Sequence, residues 1–124
     1  VRPDRVIAVD ALSAREAARL CRAVQVTNAG IVPGSGVGNA RSALTKETLG
    51  VPVVAVGVPT VVDARTLCAD LSGAEIDLPE DTELFVTPRD IDTRVRDSAR
   101  LVGYAIDLAL HDALTIEDID MFLA

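Results

Sequence analysis

The stretch VPVVAVGVP, Val51 to Pro59, constrains the fold more than any other part of the chain. It is apolar throughout, where a strand with one wet face would alternate. Gly50 before it and Thr60 after it bound a run of strand length. Such a strand needs cover on both faces. The composition agrees. Hydrophobic residues make up 49% of the 124, yet there are only two Phe, one Tyr and no Trp. The core must therefore be aliphatic, which suits buried strands flanked by helices. The length fits one domain, and the apolar share excludes a disordered chain.

Other elements follow from local signals. Arg5 to Ala11 reads as a first strand, with Asp10 at its end. Ser13 and Glu16 have capping-box spacing, which predicts a helix from about Ala14. Ala23 to Gly30 reads as a second strand, and Pro33 to Asn39 as a loop. Thr45 opens a short helical turn that Gly50 closes. Thr60 is expected to cap a helix running to about Leu71, with Asp63 at its third position. Ser72 to Leu84 carries five acids and no base, and reads as a solvated linker. Thr87 is expected to cap the longest helix, with Pro88 first and Asp90 and Asp92 in its opening turn. Its apolar stripe is Ile91, Val95, Val102, Ile106 and Ala109, and it ends near His111. A shorter helix over Ile116 to Leu123 is opened by Thr115, with Asp118 as box partner. The order predicts an α/β fold: a three-layer α/β/α sandwich with a mainly parallel sheet.

Charge and cysteine usage narrow the function. The net charge is −7, which argues against direct nucleic-acid binding, because displacing counterions from phosphates needs a basic surface. No apolar run reaches membrane-span length, so no membrane partner is expected. Cys21 and Cys68 read as separate thiols in a reducing compartment. No Cys/His cluster points to a metal, and no cofactor is expected. No secretory leader is seen, so the expected location is cytoplasmic. The chain begins at Val1 rather than Met, which is read as a sign that its true N-terminus lies elsewhere.

The glycine run Gly34, Gly36, Gly38 invites a phosphate-loop reading, which fails on register. Asn39 stands where both the P-loop and the dinucleotide fingerprint need glycine, and Ala40 and Arg41 follow in place of Lys and Ser/Thr. The run is better read as a tight loop needing positive φ or close backbone approach. Amides freed by such a loop could still hold a peptide.

Asp10 is the best catalytic candidate. It leaves an apolar strand, where partial desolvation tunes a carboxylate toward proton transfer. The competing role is to cap the next helix, but Ser13 already fills it. Strand ends of this kind are also where α/β sheets place ligands. Asp63 reads as structural, at a helix start. His111 reads as a helix-end histidine. Ser35 and Ser42 have no base near them in sequence, and Arg41 and Lys46 are cations beside the loop. A lone carboxylate is not an aspartic-type pair, which needs two.

Taken together, AVDALSAR, GIVPGSGVGNARSALTKETLGVPVVAVGVPTVVDA and FVTPRDID…ALH resemble the germination protease family of spore-forming bacteria. The long middle stretch, Gly30 to Ala64, carries most of the likeness. The resemblance implies an endopeptidase that degrades small acid-soluble spore proteins at germination, in the cytoplasm of the spore core. It implies a zymogen, a homotetramer, and a three-layer fold similar to that of the hydrogenase maturation proteases. The family has been classed both as metallo and as aspartic-type. In the aspartic view, the family's DALAARS motif matches DALSARE here and puts a catalytic role on Asp10; Glu16 stands where the family often has Ser. Substrate contacts fall on Gly34, Ser35, Gly36, Asn39 and Arg41. The second aspartate belongs to a glycine-rich segment of the family's N-terminal half. Residues 1–124 thus read as the C-terminal part of a single α/β peptidase domain, partnered by that half, with 72–84 as a linker or shortened insert. Two alternatives stand beside this: a metal-dependent enzyme akin to the maturation proteases, and a non-catalytic peptide-binding module.

Overall fold

The computed structural model describes residues 1–75 and 77–123; Ile76, inside the acidic stretch, and Ala124 lie outside the described residues. In chain order the elements are β1 (Val6–Ala14), a 3-10 turn (Ala17–Arg19), β2 (Gln25–Thr27) and a second 3-10 turn (Ser35–Val37). Then come α1 (Lys46–Leu49), β3 (Val53–Asp63), α2 (Ala64–Ser72), β4 (Phe85–Val86), α3 (Ile91–Leu110) and α4 (Ile116–Leu123). Contacts divide the chain into two units, Val1–Arg89 and Asp90–Ala124.

The apolar run becomes the centre of the first unit. β3 pairs with β1 in parallel, from Val6↔Val53 to Ala14↔Val62. β2 and β4 share the opposite edge of β3 and run antiparallel to it, β2 at Ala55–Gly57 and β4 at Val62–Asp63. The fold is therefore α/β, but the sheet is mixed; the mainly parallel sheet expected from the sequence is realised only in the β1–β3 ladder. Val53, Ala55, Pro59 and Val62 of β3 are buried, with Val62 at 0% exposure, and Ala8 and Ala14 of β1 join them.

Two expected helix starts are not found. Ser13 and Ala14 do not begin a helix but continue β1 opposite Val61 and Val62. The turn after them starts at Ala17 without a side-chain cap. Thr60 does not cap a helix either; it lies inside β3, as the extra residue where the register slips between Leu12 and Ser13. The reason is the same in both cases. Extending the ladder satisfies backbone groups and buries Ala14 and Val62, and this outweighs a local cap. The cap of α2 is Asp63, whose Oδ1 accepts from the N–H of Arg65 at 2.9 Å and of Thr66 at 3.3 Å. Asp63→Ala should therefore cost about 1 kcal/mol, read as a lower urea midpoint with an unchanged slope.

The loop signals fared better. Thr45 and Thr48 form a reciprocal capping box on α1, and Gly50 closes it at φ 74°. Arg65 holds the acidic stretch to α2 by donating to the carbonyls of Leu78 and Pro79. Neither Cys21 nor Cys68 is in a disulfide.

In the second unit, α3 begins at Ile91, not at Pro88. Thr87 does not cap it, because its hydroxyl donates to the Thr60 carbonyl at 2.8 Å in the first unit. Asp90 occupies the cap position and pairs with Arg94 at 2.8 Å. Of the expected stripe, Val102 is buried, and Ile119 of α4 is buried as well. α3 stops at His111, as expected. α4 opens on the expected box: Asp118 accepts from the Thr115 N–H at 2.9 Å and its hydroxyl at 2.8 Å. Those two bonds, the backbone one first, hold the Asp118 carboxyl below its ordinary value. A group with a lowered folded pKa stabilises fully above its unfolded pKa and loses that contribution as pH falls through the folded one. Helicity of this unit should fall with acid below the ordinary aspartate range. Asp118→Ala should lower helicity at neutral pH and flatten that part of a circular-dichroism titration. Among the described residues, no helix is long and apolar enough to cross a membrane.

Candidate active site

Asp10 sits on β1 directly beside Gly57 of β3, and Gly57 is paired on its other side with Gln25 of β2. Partners across a ladder point to the same face, so Asp10, Gly57 and Gln25 form one row across three strands. The middle position has no side chain. The tip of Leu12 lies against Gly57 where a Cβ would project. Leu12 thus fills the space over the middle of the row, between a carboxylate and an amide.

The glycine loop faces the Asp10 and Gln25 ends of this row across a pocket. A pocket of about 240 Å³ is lined by Asp10, Ser13, Arg15 and Gln25 from the sheet side and by Val32 and Gly34 to Val37 from the loop. The loop takes its shape from its glycines. Gly34 adopts φ 74°, and its carbonyl accepts from Val37 N–H at 3.2 Å and Asn39 N–H at 3.0 Å. Gly36 lies so close to β1 that a Cβ would stand 3.0 Å from that of Ser13. These are the two needs, positive φ and close approach, that favour glycine.

The structure brings Asp10, Gly34, Ser35 and Gly36 into one pocket and leaves Asn39 and Arg41 outside its lining. Asn39 and Arg41 close the loop through their backbones instead, with Arg41 N–H donating to Pro33 O at 2.9 Å. The loop's amides are largely committed to that closure: Ser35 donates to Val32 O at 3.3 Å, besides the two donations to Gly34. The freed amides anticipated from the glycine run are thus fewer than the run implies. Ser13, Arg15 and Gln25 were not singled out from the sequence. For Gln25 the signal lies in the β2–β3 register, which no local pattern reveals.

Asp10 is half-buried, and its Oδ1 accepts from the adjacent Ala11 N–H at 2.9 Å. Asp10 is the carboxylate of the pocket lining. Arg15 is the cation of the lining, and Ser13, Ser35 and Gln25 supply uncharged polar groups. That set can orient a peptide and move a proton at Asp10. Among the described residues, no three His, Cys, Asp or Glu side chains come together in a metal-binding group. A larger groove of about 650 Å³ lies between α2 and the acidic stretch, lined by Arg65, Thr66, Ala69, Glu75 and Asp77. Its arginine is already engaged with backbone carbonyls.

Fold and pocket together define an α/β domain with one carboxylate in a glycine-walled cleft. A family model described as germination protease matches residues 1–74. The chain is 37% identical to the germination protease of Clostridium tetani over 155 aligned positions, covering 99% of this chain and 48% of that protein. The germination protease of Caldanaerobacter subterraneus subsp. tengcongensis is also 37% identical with the same coverage. That of Halalkalibacterium halodurans is 61% identical over 69 residues, or 56% of this chain and 18% of the relative. The chain belongs to the germination protease family. It spans about half the length of the curated relatives that it matches end to end. An alignment of 155 positions against 124 residues also means that these relatives carry internal segments this chain lacks.

Proposed function

We propose that this chain forms part of a germination-type endopeptidase, which hydrolyses small acid-soluble spore proteins when a spore germinates. The observation that supports it most is the meeting of Asp10 with Gly34, Ser35 and Gly36 in one pocket of a chain that belongs to this family. Asp10 takes a proton from water as the water attacks the scissile carbonyl carbon. The same proton can then pass to the leaving amine. A second carboxylate supplied by the family's other half polarises the carbonyl oxygen and completes an aspartic-type pair. The loop walls the cleft, Gln25 and the serine hydroxyls hold the peptide backbone, and Arg15 offers a charge for an acidic substrate side chain. Synthesis as a zymogen, assembly as a homotetramer, a three-layer sandwich in the complete domain and residence in the spore core belong to the same reading.

The test is digestion of a purified small acid-soluble spore protein by the complete, processed protein, followed by intact-mass spectrometry. A few discrete internal cuts are expected before any smaller fragments accumulate. Substrate that stays intact, or ladders that grow from the termini, would remove the endopeptidase reading.

A further inference from the structure

Along β1, the pocket residues Asp10, Leu12 and Ser13 are fixed by the ladder with β3, which ends at Ala14↔Val62. Arg15 is the next residue. It lines the pocket too, but no ladder pair sets its direction. Its neighbour Glu16 pairs with Arg19 at 3.4 Å and not with it. What aims Arg15 is therefore whatever holds the chain just beyond it. The 3-10 turn Ala17–Arg19 begins without a side-chain cap from its own Glu16. Asp70 of α2 takes that place from 53 positions away, its Oδ2 accepting from the Ala17 N–H at 2.8 Å. The far end of the turn is tied to β3: Cys21 donates its N–H to the carbonyl of buried Pro59 at 2.7 Å. Cys21 holds φ 54° to do so, a conformation that a side chain keeps only where its surroundings dictate it.

Asp70 does little for its own helix. It is exposed and lies in the last turn of α2, where the helix dipole disfavours a carboxylate. Alanine would suit that position better by propensity. Its contribution is the bond to Ala17, two residues from Arg15. We propose that Asp70 is a positioning residue for the pocket: through the Ala17 amide it fixes the turn that presents Arg15 to an acidic side chain of the substrate. Resting on the proposed function, this deepens it by naming what sets the substrate preference. The net charge of −7 sharpens the need. A domain of that charge repels an acidic peptide at range, so attraction has to come from a cation held close to it.

The experiment measures binding to the complete protein carrying Asp10→Asn, so that no peptide is consumed. The probes are a Glu-containing spore-protein peptide and its copy with every Glu and Asp changed to Gln and Asn. The acidic peptide should bind about tenfold tighter than its copy, and Arg15→Gln should abolish that difference. Added to this background, Asp70→Ala should cut the preference about fivefold and leave binding of the amide copy unchanged. Asp70→Asn should keep the preference, because its side-chain oxygen can still accept from the Ala17 N–H. The two variants remove the same charge, so their difference isolates the hydrogen bond. In hydrogen exchange, the Ala17 amide should lose protection in Asp70→Ala and retain it in Asp70→Asn. The inference is overturned if the two peptides bind alike, if Asp70→Ala and Asp70→Asn behave alike, or if Asp70→Ala weakens both peptides equally, as a merely structural role would. Cleavage is not read. A protein that shows this Asp70-dependent preference but never cuts spore protein would remove the protease reading and leave the positioning role standing.

Discussion

Asp10→Asn in the complete protein is expected to lower spore-protein cleavage by about a thousandfold, with no change in melting temperature. Asparagine keeps the size of the side chain and an oxygen that can accept from the Ala11 N–H, as Oδ1 now does at 2.9 Å. What it loses is the capacity to take a proton from water. A structural role for Asp10 would survive the exchange, and a catalytic one would not. The measurement is the initial rate of substrate loss at saturating and at low substrate. The fall should appear in kcat, because the change leaves the pocket's shape and its other polar groups in place. Cleavage within threefold of the parent would take Asp10 out of the mechanism.

Gly34→Ala should have the next largest effect, on stability and activity together. Its φ of 74° disfavours any L side chain, and a Cβ there would run into the Asn39 carbonyl oxygen. Gly50 makes a built-in control. It has the same φ of 74°, but nothing lies within 4 Å of the Cβ position. Gly50→Ala should cost only the conformational penalty, roughly 1–2 kcal/mol. Gly34→Ala adds a collision with backbone that cannot swing aside, so its loss should exceed that of Gly50→Ala by roughly 1–3 kcal/mol. It should also displace the wall of the Asp10 pocket and reduce cleavage, whereas Gly50→Ala should not. Urea melts and cleavage rates of the two variants decide this. Equal losses in both would mean that the loop closure seen at Gly34 does not shape the site.

These cases also show which parts of the molecule were legible in sequence. Interactions within one turn could be read directly. Thr45 and Gly50 bound α1, and Thr115 with Asp118 opens α4, because each cap depends on residues a few positions apart. The apolar run from Val51 was legible as a central strand for the same reason. Where a distant strand competes, local signals lose. Ser13 and Thr60 both look like helix caps, and both are drawn into the β1–β3 ladder, where continued pairing buries Ala14 and Val62. Thr87 is likewise drawn to the Thr60 carbonyl.

The site divides along the same line. Asp10 could be picked out by its place after an apolar strand, and the glycine loop by its spacing. Their meeting could not be read from spacing, because it depends on Gly36 lying against Ser13. The place of Gln25 in the row depends on an antiparallel register with β3, set by residues thirty positions away. Asn39 and Arg41 show the converse: they lie beside the pocket in sequence but spend their backbones on closing the loop.

The central claim is that substrate is cut in the pocket between Asp10 and the loop from Gly34 to Val37. Its most direct test is a crystal structure of the complete Asp10→Asn protein with an uncleaved spore-protein peptide bound. The scissile carbonyl carbon should lie within one water molecule's reach of the residue 10 side chain, with the peptide backbone against Gly36 and Gln25. A peptide bound elsewhere, with residue 10 facing empty solvent, would contradict the account.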